Sequence, residues 1–167
     1  MSKYHVEQDI TLCIGCLACE AACKDKNNVP TGSHYCKMIQ VGPRMVRNIP
    51  MINHVYMACF HCEKPWCVDA CPTGAMQKRA KDGIVFVDAD LCVGCKACIK
   101  ACPWGVPQWD SNTGKVGKCD LCKDRIDKGL KPACVTKCTT GSLQFLTPEE
   151  ASEKKRKDFA EQILKQA

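Results

Sequence analysis

The sequence predicts a small α+β protein, with short β-hairpins and short helices arranged in two nested halves and a helical tail. Three observations carry this reading. Sixteen of the 17 cysteines fall into four groups of four. Strand-like and turn-like segments alternate around those groups. The 167-residue chain is also short of apolar material: hydrophobic residues make up 46% and aromatics 6%. Without cysteine the apolar share is only about 36%, below the usual globular level. Metal or disulfides must supply the stability that such a thin core cannot.

Taken in chain order, Tyr4 to Glu7 reads as an opening strand and His54 to Met57 (HVYM) as a second. Ala75 to Arg79 and Ile84 to Asp88 (IVFVD) flank a turn at Asp82-Gly83 and read as a hairpin. Val106 to Asp110 is expected to pair with His54 to Met57, ahead of a turn around Asn112 to Gly114. Ser142 to Leu146 (SLQFL) reads as a closing strand. Only short helical turns fit between the third and fourth cysteine of each group. Thr147-Pro148-Glu149-Glu150 combines an N-cap, a first-turn proline and a capping-box glutamate, so a helix starts there. Its body, Ala151 to Lys165, is charge-rich and carries a narrow apolar stripe of Phe159, Ile163 and Leu164.

The cysteine spacings are specific. Cys13, Cys16, Cys19 and Cys23 read C-x2-C-x2-C-x3-C; Cys92, Cys95, Cys98 and Cys102 repeat this, followed by Pro103. Cys59, Cys62, Cys67 and Cys71 read C-x2-C-x4-C-x3-C with Pro72 next, and Cys119, Cys122, Cys134 and Cys138 read C-x2-C-x11-C-x3-C. A disulfide framework belongs to chains that pass through an oxidising compartment. Met1 to Asp9 has neither an apolar signal core nor a twin-arginine pair, and 17 is an odd number. Zinc favours two C-x2-C knuckles around a longer loop, and the second and fourth groups, read alone, could be zinc sites. The triple C-x2-C-x2-C of the first and third groups fits one tetrahedral ion poorly. It fits a four-iron cluster, with three thiolates taking three irons and the fourth cysteine reaching a different cluster. Cys36 has no partner at ligand spacing and reads as a small buried hydrophobe.

A bacterial two-cluster ferredoxin unit joins two such groups by a hairpin, with a strand before and after. Groups two and three meet that description, so residues 53–111 form an inserted unit. Groups one and four supply the halves of an outer unit, 1–52 plus 112–146, and 147–167 is the tail. Exchange of the fourth cysteine within each pair then gives four sets of ligands. They are Cys13, Cys16, Cys19 and Cys138 (cluster one); Cys59, Cys62, Cys67 and Cys102 (cluster two); Cys92, Cys95, Cys98 and Cys71 (cluster three); and Cys119, Cys122, Cys134 and Cys23 (cluster four).

The motifs CIGCLACEAACKDKNNVP, CFHCEKPWCVDACPTGA, CVGCKACIKACPWGVPQWD and KCDLCKDRIDKGLKPACVTKCTTG together resemble the four-cluster iron–sulfur subunits of the dimethyl sulfoxide reductase family of molybdenum and tungsten enzymes. The resemblance covers over half of the chain. It implies four [4Fe-4S] clusters in a row beside a pterin-bearing catalytic subunit, and the same exchange of ligands between groups one and four and groups two and three. Thr139 departs from the family, which usually has proline after the last cysteine. The chain also lacks the longer insertions and the C-terminal anchor of some relatives.

The formal charge of +6 points toward nucleic acid only if cysteine is counted as neutral. Four thiolate-bound clusters contribute about −8, leaving the loaded chain near −2. Lys24, Lys96, Lys100, Lys118 and Lys123 sit beside ligands and read equally as a solvated face or as tuning groups. Trp66, Trp104 and Trp109 are expected to pack over the clusters rather than to dock a partner. His61 is expected beside a site but not as a ligand, and His5, His34 and His54 have no ligand spacing. No nucleophile–base pair, phosphate loop or dinucleotide fingerprint is present, so the chain is expected to be non-catalytic. The expected role is electron transfer between a tungsten- or molybdenum-pterin subunit and a second redox subunit or soluble carrier. Neither nucleic acid nor a direct membrane span is expected, and the setting is read as cytoplasmic and anaerobic. A free-standing polyferredoxin and a zinc-binding nucleic-acid module are the alternatives.

Overall fold

The computed structural model describes residues 2–166. In chain order it holds β1 (His5–Gln8), α1 (Ala18–Asn27), β2 (Lys37–Val46), β3 (Ile49–Met57), α2 (Trp66–Asp69), β4 (Met76–Lys78) and β5 (Val85–Val87). Then come α3 (Ala97–Ala101), β6 (Gln108–Asp110), β7 (Lys115–Gly117), α4 (Lys123–Ile126), α5 (Ala133–Thr136), β8 (Leu143–Leu146) and α6 (Pro148–Gln166). All pairing is in two-stranded antiparallel ribbons: β1 with β8, β2 with β3, β4 with β5 and β6 with β7.

The β1–β8 ribbon brings distant parts of the chain together, with His5 opposite Leu146 and Gln8 opposite Leu143. It continues past the ladder, where Asp9 N–H donates to the Ser142 carbonyl (2.8 Å) and Ser142 Oγ donates to the Asp9 carbonyl (2.7 Å). Gln8 then clamps the neighbouring ribbon: its amide donates to the His54 carbonyl (2.8 Å) and accepts from Tyr56 N–H (2.7 Å). The predicted hairpin forms as β4–β5, with Met76 opposite Val87.

Two strands differ from the expectation. Val106–Asp110 does not pair with His54–Met57; its Gln108–Asp110 portion pairs with β7. The reason is local turn chemistry. Asp110 accepts from Asn112 N–H (2.8 Å) and Thr113 Oγ1 (2.9 Å) and closes the turn through Gly114 N–H on its carbonyl (2.9 Å). Such an Asx turn closes a short loop at far less entropic cost than a partner fifty residues away. His54–Met57 instead belongs to β3, whose partner β2 carries Gly42-Pro43 in its middle. That pair reads as a strand breaker in sequence, but it sits where the register shifts between Val41 and Arg44, a bulge that tolerates a missing donor. The boundary at 52/53 falls inside β3, and that at 111/112 in the β6–β7 turn.

The core is mostly sulfur. Cys19, Cys23, Cys36, Met38, Cys134 and Leu143 form one buried cluster, and Met76, Val85, Cys98 and Val116 form another. Arg79 joins the β4–β5 turn to α4 by gripping Asp82 and Asp127, the latter at 2.8 Å. Helix α6 buries Ala151, while Phe159, Ile163 and Leu164 stay exposed. Among the described residues no helix is long and apolar enough to cross a membrane.

The capping box of α6 is reciprocal: Thr147 N–H donates to Glu150 Oε2 (2.7 Å), and Glu150 N–H donates to Thr147 Oγ1 (3.3 Å). Thr147→Ala removes one half of it and costs about 1 kcal/mol of helix-end stability. Amide exchange at Glu150 and Ala151 should accelerate several-fold, with exchange on β4–β5 unchanged.

Candidate metal centres

The first C-x2-C turn of every group shares one backbone device. The third residue of each takes a left-handed conformation: Gly15 (φ +68°), His61 (+47°), Gly94 (+69°) and Leu121 (+55°). A left-handed residue at this point curls the loop so that both cysteines face its inner side. At Gly15 and Gly94 space imposes the same choice, since a Cβ there would strike the His54 ring or the Gly114 carbonyl. Leu17 (+60°) and Lys96 (+63°) are left-handed too and open α1 and α3, which carry Cys19 and Cys98 in their first turns. Cys67 lies on α2 and Cys134 on α5, and Cys71 and Cys138 follow those short helices.

The side chains converge on cavities. Cys71, Cys92, Cys95 and Cys98 line one. Cys59, Cys62, Cys67 and Cys102 line another. Cys23, Cys119, Cys122 and Cys134 line a third, with Cys59 also on its wall. Of the remaining four, Cys13 and Cys138 pack against the core cluster that contains Cys19. Cys16 Sγ lies 3.4 Å from the hydroxyl of Thr139, next to Cys138. Thr139, where proline was expected, thus contributes a sulfur contact that proline lacks.

The donor set identifies the guest. Four sulfurs around one cavity, three of them within ten residues of each other in the Cys59 and Cys92 sets, suit a polynuclear sulfur-ligated cluster. Electrostatics agree. Burial pushes the Cys134 thiol up to about 12, and Cys19 and Cys67 up to about 11. Burial drives Cys119 well above the ordinary thiol range as well, reinforced by the neighbouring Cys59 sulfur. Thiolates crowded this way need a positive core between them.

The sulfurs also collect donors, as ligands of an anionic cluster do. Backbone N–H groups of Met76 and Leu143 donate to Cys71 and Cys138, each at 3.4 Å and each five residues after its cysteine. Val116 N–H donates to Cys92 (3.5 Å). Tyr56 O–H donates to Cys134 (3.3 Å), and Asn27 donates to Cys23 (3.5 Å).

Two buried side chains cross between cavities. Lys118 immediately precedes Cys119, yet its ammonium reaches Cys59 Sγ at 3.4 Å and also donates to the Cys119 carbonyl (2.7 Å) and the Val85 carbonyl. His61 lies between Cys59 and Cys62, yet it lines the cavity of Cys119, Cys122 and Cys134. Its Nδ1 accepts from Val85 N–H at 2.9 Å. Burial, and then Lys118, holds the imidazole well below its ordinary range, so it is neutral. Val85, on the outer edge of β5, therefore has both backbone groups satisfied by these two side chains.

Several sequence readings change here. Trp66 and Trp104 are half-exposed rather than buried; they rim the Cys59 cavity, and Trp104 meets Phe60 edge-to-face at 5.2 Å. Trp109 packs inside, under the Lys96 ammonium (3.9 Å). Lys118 is the one of the five lysines that is buried; Lys96 and Lys100 are exposed, and Lys123 pairs with Asp120 (3.1 Å). Cys36 is buried as expected, but its place was not legible. It sits against Cys19 and Cys23, and its thiol holds Cys23 below the ordinary range.

A protein whose folded core is this rich in cysteine, with three sets of four around cavities, is an iron–sulfur protein of the ferredoxin class. Residues 52–147 match the family of the 4Fe-4S dicluster domain, and residues 10–29 match a 4Fe-4S binding domain. The sequence is 39% identical over 166 residues to the B subunit of the anaerobic dimethyl sulfoxide reductase of Escherichia coli, covering 95% of this protein and 80% of that one. It is 41% identical over 145 residues to the B subunit of the polysulfide reductase of Wolinella succinogenes (86% and 75% covered). With Protein NrfC of Escherichia coli it shares 42% over 146 residues (86% and 65% covered). The chain belongs to this family of 4Fe-4S electron-transfer subunits and is a cluster carrier, not a catalytic subunit.

Removing the iron leaves crowded thiols whose folded-state pKa is raised. Stability from them is present below the ordinary thiol value of about 8.5 and is lost as pH rises toward the folded values. With the iron gone, the links between distant segments go too, so iron-free protein is expected to lose its cooperative melt already at pH 7. Any remaining ellipticity should decline further between about pH 8.5 and 12, as circular dichroism will show. A native-like melt that survives at alkaline pH contradicts the role given to the metal.

Proposed function

We propose that this chain is a four-cluster relay. It carries single electrons between a tungsten- or molybdenum-pterin catalytic subunit and a second redox subunit or soluble carrier, in the cytoplasm of an anaerobically growing cell. The ligand sets are Cys13, Cys16, Cys19, Cys138; Cys23, Cys119, Cys122, Cys134; Cys59, Cys62, Cys67, Cys102; and Cys71, Cys92, Cys95, Cys98. Four-iron clusters supply one-electron transfer, and with every iron capped by cysteine they offer no open position to a substrate.

The observation that carries this reading is the way the sets share walls. Cys13, Cys19 and Cys138 pack in the same core cluster as Cys23 and Cys134. Cys59 lines the cavity of the Cys119 set as well as its own. Cys67, Cys71, Cys92 and Cys98 meet in the second core cluster. The sets thus run one, four, two, three in a line, which favours stepwise transfer from neighbour to neighbour. Among the described residues the exposed cysteines, Cys16 and Cys95, belong to the two end sets, although each of those sets also holds a buried one, Cys19 and Cys98. Electrons therefore enter and leave at the ends.

The two nested ferredoxin units follow from the same pairing. An outer unit is closed by β1–β8 and holds sets one and four; the inserted unit is built on β4–β5 and holds sets two and three. The matching Cys71–Met76 and Cys138–Leu143 hydrogen bonds support their equivalence. The relatives named as B subunits of dimethyl sulfoxide and polysulfide reductases support a place beside a catalytic subunit.

Anaerobically purified protein should contain about sixteen iron atoms per chain and remain with a large pterin-containing partner through size exclusion. Elution alone would favour a free polyferredoxin, and zinc in place of iron would overturn the proposal. Tyr56→Phe withdraws the hydroxyl from Cys134. A hydrogen bond worth about 1 kcal/mol that favours the reduced cluster corresponds to a few tens of millivolts for one electron. Redox titration followed by electron paramagnetic resonance should show one of four midpoint potentials falling by roughly that amount, with iron content unchanged.

A further inference from the structure

We propose that His61 is a hydrogen-bond donor to the cluster held by Cys23, Cys119, Cys122 and Cys134, and that it sets the potential of that cluster from within the motif of a different one. The inference rests on the ligand sets given above. His61 is 2% exposed. Its Nδ1 is committed as an acceptor from Val85 N–H (2.9 Å), which leaves the ring proton on Nε2. Nε2 is one of three buried side-chain polar atoms without a hydrogen-bond partner among the described residues, and the ring lines the Cys119 cavity. A buried N–H donor without an acceptor is costly, so a polar ring held here calls for an acceptor inside the cavity. The sulfur atoms of an anionic four-iron cluster are acceptors of that kind.

The backbone points the same way. His61 occupies the third position of its C-x2-C turn at φ +47°, where Gly15 and Gly94 stand in two of the other turns. A non-glycine residue in this conformation carries a backbone strain. The side chain therefore offsets a strain that glycine avoids. Lys118 does the converse, leaving the fourth motif to reach Cys59 of the second. The two side chains meet at Val85, so the donors to each of two adjoining clusters are held by the other's motif. A donor stabilises the added negative charge of the reduced state and raises the potential.

The test is His61→Asn in the iron-loaded chain. Asparagine keeps an acceptor near the Nδ1 position for Val85 N–H but withdraws the donor from the cavity. Redox-titrated electron paramagnetic resonance should show one midpoint potential lowered and three unchanged at full iron content. The signal that moves should be the one that moves in Tyr56→Phe, which addresses the same cavity. Four unchanged potentials, or movement of a different signal, overturn the inference while leaving the ligand sets standing. Wild-type protein without iron overturns both. If His61→Asn does not fold, pulsed resonance on reduced His5→Gln protein with histidine labelled by nitrogen-15 in its ring alone decides the matter, because the backbone N–H of His61 itself donates to Cys59 Sγ (3.4 Å). His5, the other histidine on that cavity, is then absent, and a ring-nitrogen coupling to the cluster whose signal moves in Tyr56→Phe is expected; its absence overturns the inference.

Discussion

The fold depends on thiolate–iron attraction more than on any hydrophobic contact. Burial and mutual repulsion hold Cys19, Cys67, Cys119 and Cys134 above the ordinary thiol range. Once ionised, and in the absence of a cation, these groups oppose the arrangement that contains them. A polynuclear iron core reverses the sign of that interaction, and with the proposed ligand sets it would tie segments far apart in sequence, such as Cys23 on α1 and Cys134 on α5. The ribbons are too short to hold themselves: four two-stranded pairs, two of them with three residues per strand, are marginal alone. Sulfur and metal replace the apolar core that this composition cannot supply.

The same requirement shapes the local backbone. One left-handed residue in each C-x2-C turn places two sulfurs on one side, and a short helix then presents the third. Glycine meets this need where His54 or the β6–β7 turn presses against the loop. Where side chains are retained, at His61 and Leu121, both are buried against the third cavity. Strain in these loops is thus distributed where the side chain has a use, as expected of sites that bind rather than merely connect.

Polar groups complete what the cysteines begin. Backbone N–H groups serve Cys71, Cys138 and Cys92, whereas the third cavity gathers Tyr56 and Asn27 side chains and the His61 ring. A cluster surrounded by more donors is easier to reduce. The donors thus differ in kind from one proposed set to the next, although every proposed ligand is a cysteine.

The sequence alone determined the chemistry. Cysteine spacing, the thin apolar share, the β4–β5 hairpin and the capping box at Thr147 are local signals, set by a few consecutive residues, and each is legible because its cause is local. The tertiary structure decided what depends on distant partners. It paired Val106–Asp110 with β7 rather than β3, since an Asx turn closes a short loop cheaply. It placed Gly42-Pro43 in a bulge of β2, and left Trp66 and Trp104 half-exposed. It also carried Lys118 and His61 each into the cavity of the other's motif. No spacing rule encodes such a crossing, because it follows from Val85 offering one free N–H and one free carbonyl on the outer edge of β5, and only the folded chain brings two side chains from opposite motifs to meet them.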